Sequence, residues 1–319
     1  MRRKTLIWST MMLLAFSIKA QQLAQYSQYN FNQYLLNPAV GGLSKHLEAQ
    51  AGFRSQWAGF EGAPTTMFVS IHAPLDYPIS NSHIKEKPHK GVGGYIFRDE
   101  AGPSTWTGAY MSYAYHMALN PKFHLSLGAF VGAKHYVLDG SKIQFTHSET
   151  DPKVTGQRET AIVPDGNIGI WVHSDKVFGG ISVNQIFQNK LDIEQVKPGQ
   201  EFGKLDNHYF LTAGYIYKVN SQLKIIPSFL LKAVAPAPLQ VDLSVKAFID
   251  DTFWVGASLR NLDAFVIFGG VRYGNFEAGY AFDLTFNGIQ KFSAGSHEII
   301  VGLLLPRFEK DINCPSRFW

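Results

Sequence analysis

The residues that could do chemistry are few, and none forms a complete catalytic set. Ser296-His297-Glu298 puts three relay residue types side by side. In a strand, however, neighbours point to opposite faces, so these three cannot align as nucleophile, base and orienting acid. No Gly-x-Ser-x-Gly elbow occurs. Gly91-Val92-Gly93-Gly94 has the look of a phosphate-cradling loop, but no Lys-Ser/Thr pair and no helical pattern follow it. Strand glycines packing a tight wall are the better account. The 11 histidines are spread along the chain without His-Glu-x-x-His or comparable spacing. His83 and His89 flank a basic turn, while His116, His124 and His135 fall on candidate strands. Surface or interior hydrogen bonding suits them better than metal binding. No catalytic residue, metal ligand, cofactor-binding residue or cofactor is therefore assigned, and the chain is expected not to be an enzyme.

The remaining polar side chains of interest sit in a regular pattern. Over 238–283, Leu239, Val241, Leu243, Val245, Ala247 and Ile249 alternate with Gln240, Asp242, Ser244, Lys246 and Asp250. Only Phe248 intrudes on the polar set. Asp250-Asp251, Asn261-Leu262-Asp263 and Gly274-Asn275 punctuate the run. A period of two describes strands with one apolar and one polar face, here four strands in an antiparallel meander. Gln240, Asp242, Lys246, Arg260, Arg272, Glu277 and Asp283 share the polar face.

The same alternation recurs along most of the chain. Further candidate strands lie at 45–54, 65–75, 91–99, 105–119, 122–138, 165–173, 176–186, 207–218, 222–233 and 295–305, giving fourteen with the meander. The opening residues differ. Arg2, Arg3 and Lys4 precede an apolar run from Leu6 to Ile18, and Ala20 stands at a small-residue cleavage point. Residues 1–20 are expected to be a cleaved signal peptide, the run being short for a membrane-spanning helix. Loss of Arg2, Arg3, Lys4 and Lys19 lowers the 29 basic residues to 25, balancing the 25 acidic ones. Nothing in that balance calls for a nucleic-acid partner. The single cysteine, Cys314, excludes an internal disulfide framework.

Many antiparallel strands suit either a soluble sandwich or a closed barrel in an outer membrane. Strands near ten residues match the ~9–11 needed to cross a bilayer at a tilt. Trp106, Tyr136, Tyr209, Tyr217, Phe253, Trp254, Tyr273 and Phe276 fall near strand ends, as interfacial aromatic girdles require. Connections alternate between tight and long. Asn120-Pro121, Ser174-Asp175, 219–221, Asp250-Asp251 and Gly274-Asn275 are tight; 139–164, 187–206 and 284–294 are long, with 76–90 the exception. The expectation is an all-β chain: a transmembrane antiparallel β-barrel of about fourteen strands over 45–305. Both termini and the tight turns would be periplasmic, with 306–319 a periplasmic tail. The polar face would then line the lumen. A barrel this wide is an open pore unless filled, and the Tyr/Asn/Gln-rich segment 21–44 is suited to plug the lumen or cap its periplasmic mouth. Catalysis on such a barrel would need a Ser and a His within hydrogen-bond reach on neighbouring strands.

Several blocks together resemble the PorP/SprF family of outer-membrane proteins of the type IX secretion system of Bacteroidota. They run from 25–39, ending Asn37-Pro38-Ala39, through Gly52-Phe53-Arg54-Ser55-Gln56-Trp57 and Phe60-Glu61-Gly62-Ala63-Pro64. They continue with Ser112-Tyr113-Ala114-Tyr115-His116, Leu138-Asp139-Gly140-Ser141-Lys142-Ile143, Pro227-Ser228-Phe229 and Phe253-Trp254-Val255-Gly256. They close with Gly295-Ser296-His297-Glu298-Ile299 and Cys314-Pro315-Ser316-Arg317-Phe318-Trp319. The resemblance implies secretion or cell-surface anchoring of adhesin-type cargo, with gliding motility in some relatives. It implies exported cargo and periplasmic peptidoglycan-binding or secretion-machinery proteins as partners, beside outer-membrane lipid. From the residues themselves, Arg54, Gln56, Trp57 and Phe60 are the partner-contact candidates, Arg and Trp being good interface anchors. The other reading of that loop has Trp57 and Phe60 folded over the barrel mouth and Arg54 paired with a lumen carboxylate. The alternative function is a passive porin or small-molecule channel.

Overall fold

The computed structural model describes residues 23–44, 46–76, 88–143, 157–191, 203–235, 237–261, 263–286 and 288–306. The signal-peptide expectation, His83, the 307–319 tail and Cys314 lie outside them. Strands dominate: β1 (His46–Ser55), β2 (Thr65–Asp76), β3 (His89–Ala101), β4 (Ser104–Ala118), β5 (His124–Asp139), β6 (Arg158–His173), β7 (Val177–Asn184) and β8 (His208–Tyr215) come first. Then follow β9 (Tyr217–Lys218), β10 (Leu223–Ala233), β11 (Gln240–Ile249), β12 (Phe253–Arg260), β13 (Ala264–Tyr273), β14 (Phe276–Thr285) and β15 (Ser296–Pro306). β8 and β9 both pair with β10 and are two pieces of one strand interrupted at Ile216. The fifteen segments are therefore fourteen wall strands.

Each strand pairs antiparallel with its sequence neighbours, and β15 pairs with β1 to close the sheet. That closing register runs from His46 opposite Pro306 to Ser55 opposite His297. Closure joins the first and last strands, so the ladder that crosses the membrane needs no water; at its Arg158 end, β6 extends beyond its pairing with β7, which covers Ile168 to His173. No helix among the described residues is long and apolar enough to cross a membrane; the crossing elements are strands.

The period of two sorts the faces. Leu243, Val245, Val255, Ile267, Ile299 and Val301 point outward and exposed, whereas Asp242, Ser244, Lys246, Ser258, Glu277 and Glu298 are buried inside. Tyr209, Tyr217, Phe253, Tyr273 and Phe276 are exposed on the outer surface. Trp106, Tyr136 and Trp254 are not part of that girdle. Trp254 shares the inner face of β12 with Ser258 and Arg260 and is 3% exposed, and Trp106 and Tyr136 line a cavity inside the mouth.

The connections define two ends. At the turn end, Asp250 and Asp251 both take positive φ (50° and 51°), and Gly274 does so at 58°. These are the local conformations that fold a strand directly back on its neighbour. The other, loop end carries 56–64 and the described parts of three further connections, 140–143, 185–191 with 203–207, and 288–295. It also carries the two-residue turn Gly102-Pro103 and the short 261–263, so its loops are less uniformly long than the sequence suggested. β6 begins at Arg158, earlier than expected, because Pro164 lies within the strand opposite Ala133 instead of ending a loop. β4, β5 and β6 are 15, 16 and 16 residues long. They exceed the bilayer-crossing length, and β5 and β6 raise one side of the rim at the loop end.

Candidate functional site: a lumen filled by the N-terminal segment

Residues 23–44 occupy the lumen. Ser27 packs among Arg54, Asp283 and Glu298 near the loop end, and Gly41-Gly42 packs among His72, His89 and His116 near the turn end, where β1 begins. The segment thus runs back through the barrel from His46. Its first described residue, Leu23, lines a cavity at the loop mouth. The barrel domain begins and ends at the turn end, His46 opposite Pro306. The two described ends of the chain nonetheless lie at opposite ends of the barrel, not together, because the lumen segment crosses it.

Two short 3-10 turns, Gln33–Leu35 and Pro38–Val40, give the segment its shape. Asn37 caps the second: its side-chain oxygen accepts from the Ala39 amide at 3.0 Å, and Pro38 occupies the first position, where no amide proton is needed. The same Asn37 side chain donates to the wall carbonyls of Ile170 (3.1 Å) and Ile181 (3.3 Å). One residue therefore both turns the segment and pins it.

The wall makes room for this turn with glycines. A Cβ on Gly128 would collide with the Pro38-Ala39 backbone, and one on Gly91 with the Gly41 carbonyl. Gly91 and Gly93 thus allow close approach of the Gly41-Gly42 corner and of the Tyr34 hydroxyl. The glycine run of β3 is a cradle for the chain's own backbone.

At the loop end the anchor is ionic. Glu298 accepts the amides of Ser27 (2.7 Å) and Gln28 (2.9 Å) through its two oxygens. Arg54 donates to Ser27 Oγ (2.6 Å) and bridges Asp283 (2.8 Å) and Glu298 (3.4 Å). Arg260 contacts Asp283 (3.2 Å), Asp242 (3.3 Å) and Asp263 (3.3 Å), and Ser258 donates to Asp242. Two guanidiniums thus serve several carboxylates in a water-poor site, where charge-assisted hydrogen bonds are strongest. Midway, Lys246 Nζ donates to the Asn30 carbonyl (3.2 Å), Asn30 donates to Ser244 (2.7 Å), and Phe31 stacks on Trp254 at 4.9 Å.

The expected lumen residues are distributed around this segment. Asp242, Lys246, Arg260, Glu277 and Asp283 are buried on the inner face; Gln240 lines a small space beside Tyr26 and Tyr29, and Arg272 pairs with Glu277. Of the partner-contact residues, Arg54 takes the other of its two readings. It is 2% exposed and committed to lumen carboxylates, so it is not available to a partner. Gln56, Trp57 and Phe60 remain on the 56–64 loop. Trp57 and Ala58 tie this loop to the 286–295 loop through Ser296 Oγ (3.0 Å) and the Gly295 carbonyl (2.7 Å), and Phe60 is exposed. Glu298, Ser27 and Asn37 were not singled out from sequence as anchors. The only signal for Glu298 is its parity with Ser296 on an otherwise apolar strand.

One Ser–His pair does lie on neighbouring strands: Ser126 Oγ and His116 Nδ1 are 2.7 Å apart. Both are buried, and His116 Nε2 meets the Gly41 carbonyl (3.0 Å), not a carboxylate. The pair is covered by the segment it holds. A cavity of about 270 Å³ opens at the loop mouth, lined by Leu23, Phe97, Asp99, Trp106, Lys134 and Tyr136 among others.

Solved structures similar to this chain include a FadL homologue from Pseudomonas aeruginosa, at 9% identity and TM-score 0.48, covering 90% of this chain and 95% of that one. Another is the toluene transporter TbuX from Ralstonia pickettii, at 10% identity and TM-score 0.48, covering 87% and 93%. A third is the translocator domain of the autotransporter NalP from Neisseria meningitidis, at 10% identity and TM-score 0.42, covering 82% and 88%. No curated protein sequence matches the chain. The model of the type IX secretion system membrane protein family PorP/SprF matches residues 18–303, which take in the lumen segment and nearly the whole wall, and the chain belongs to that family.

Proposed function

We propose that this barrel serves type IX secretion as a protein-binding platform in the outer membrane, acting in the secretion or surface anchoring of adhesin-type cargo. The observation that carries the reading is the filled lumen. A barrel occupied from the turn end to the loop end by its own chain is poorly suited to pass solutes and well suited to present a rigid rim. In this reading the loop end faces outward and receives exported cargo through Gln56, Trp57 and Phe60. The turn end rests on periplasmic peptidoglycan-binding or secretion-machinery proteins. The reading gives the barrel no catalytic role, and the burial of the Ser126–His116 pair under Gly41 supports it. Deleting the gene and following each type IX cargo to the cell surface tests the reading: loss of one or more adhesins is expected, and normal display of all of them overturns it.

The cavity at the loop mouth favours a second reading, a channel for small molecules. Planar-bilayer conductance separates the two. The purified barrel is expected to stay closed at neutral pH, and large steady openings would favour the channel.

A further inference from the structure

Five consecutive strands, β2 to β6, each place one histidine near the turn end: His72, His89, His116, His124 and His173. His89 is the register partner of His116, and His124 of His173. The rings stack in those pairs at 4.4 and 5.0 Å. The series borders the Gly41-Gly42 corner, where the lumen segment turns into β1, and three of its members hold that corner by its backbone. His116 Nε2 meets the Gly41 carbonyl at 3.0 Å, His89 Nε2 meets the Gly42 carbonyl at 3.3 Å, and the Gly42 amide donates to His72 Nδ1 at 3.2 Å.

The last bond fixes the chemistry. An imidazole nitrogen that accepts from an amide carries no proton, so His72 is neutral here, with its proton on Nε2 facing Glu48 Oε2 at 3.6 Å. Protonating Nδ1 would set an N–H against the Gly42 N–H and abolish the bond. Glu48 would then hold the resulting imidazolium as an ion pair. His116 and His89 can keep their carbonyl bonds when charged, but two stacked imidazoliums, one buried and one half-buried, repel.

The other groups facing the corner do not offset this. Tyr34, whose ring lies 4.3 Å from His72, donates or accepts through Ser112 (2.6 Å), and Glu48, the carboxylate facing His72, also accepts from Ser44 (2.5 Å). Across the lumen, Arg272–Glu277 and Lys224–Asp251 pair among themselves. The histidines are not arranged as a metal centre: among the described residues, no group of three or more His, Cys, Asp or Glu could hold an ion.

We propose that this histidine series is an acid-sensitive latch: neutral imidazoles clasp the Gly41-Gly42 corner, and protonation releases the turn-end half of the lumen segment. The experiment uses the full-length protein in planar bilayers, with limited proteolysis of residues 30–44 in parallel, as pH is lowered from about 7.5 to about 5 across the ordinary histidine range. Wild type should be closed and protected at the higher pH, and open to proteolysis with new conductance steps at the lower. His72→Asn keeps an acceptor near Nδ1 that cannot titrate, and should stay closed at both. His89→Gln keeps a donor for Gly42 and removes one stacked charge, so its transition should move to lower pH. Heat-modifiable mobility on gels confirms that each variant is a folded barrel. A wild-type protein that stays closed and protected throughout overturns the proposal, and so does a His72→Asn barrel that opens at the same pH as wild type.

Discussion

The two ends of the lumen segment are held by opposite means. Near the loop end, Ser27 and Gln28 sit on Glu298 within a cluster of charged side chains: Arg54, Arg260, Asp283 and Asp242. Near the turn end, Asn37, Gly41 and Gly42 are held by neutral groups: wall carbonyls, glycine gaps and imidazoles. The charged anchor gains strength from desolvation but fails sharply when one member is lost, because the others remain buried and unpaired. The neutral anchor is made of many small terms, each tolerable to lose. The difference suggests a segment fixed at one end and adjustable at the other.

Removing residues 23–44 should have the largest effect. It takes away the occupant of the lumen and should convert a closed barrel into a conducting one in planar bilayers; a deletion that conducts no better than wild type would mean the wall alone closes the pore. Glu298→Ala should come next, costing about 3–5 kcal/mol by leaving two buried segment amides without their acceptor and leaving Arg54 with Asp283 as its one carboxylate. Equilibrium unfolding in detergent reads that loss, and Arg54→Met in the same chain should recover much of it. A double variant as weak as the single would show that the amides, not the charges, matter most.

At the other end, Gly128→Val should cost about 1–3 kcal/mol by overpacking against Pro38-Ala39. It should raise proteolysis around residues 37–42 while leaving the Ser27 anchor protected, a split that limited digestion with mass mapping detects. Tyr34→Phe removes one hydroxyl from Ser112 and should cost only about 1 kcal/mol. A loss as large as that of Glu298→Ala would end the distinction between the two anchors.

How much of this was legible depended on distance along the chain. Asp242, Lys246 and Glu277 could be placed on the polar face because parity within a strand is a local property. Asp250-Asp251 and Gly274-Asn275 could be read as hairpins because turn chemistry is local too. Trp254 has the residue type of a girdle aromatic, but its parity with Ser258 and Arg260 puts it inside. β6 begins before the 165 that alternation suggests, because a strand tolerates Pro164 where no ladder bond is needed. Arg54 could be given two roles but not one, since Asp283 and Glu298 are far away in sequence. The histidines looked scattered for the same reason: their spacings of 17, 27, 8 and 49 residues, counted from His72 to His173, have no period.

The sequence by itself determined the wall, because alternation and turn residues specify strands, faces and hairpins over a few residues at a time. Only the tertiary structure decided the interior. Which inner residues share a level depends on the register accumulated over fourteen strands and on the β15–β1 closure. The path of 23–44 depends on that interior, since an aperiodic segment gets its conformation from the wall that surrounds it.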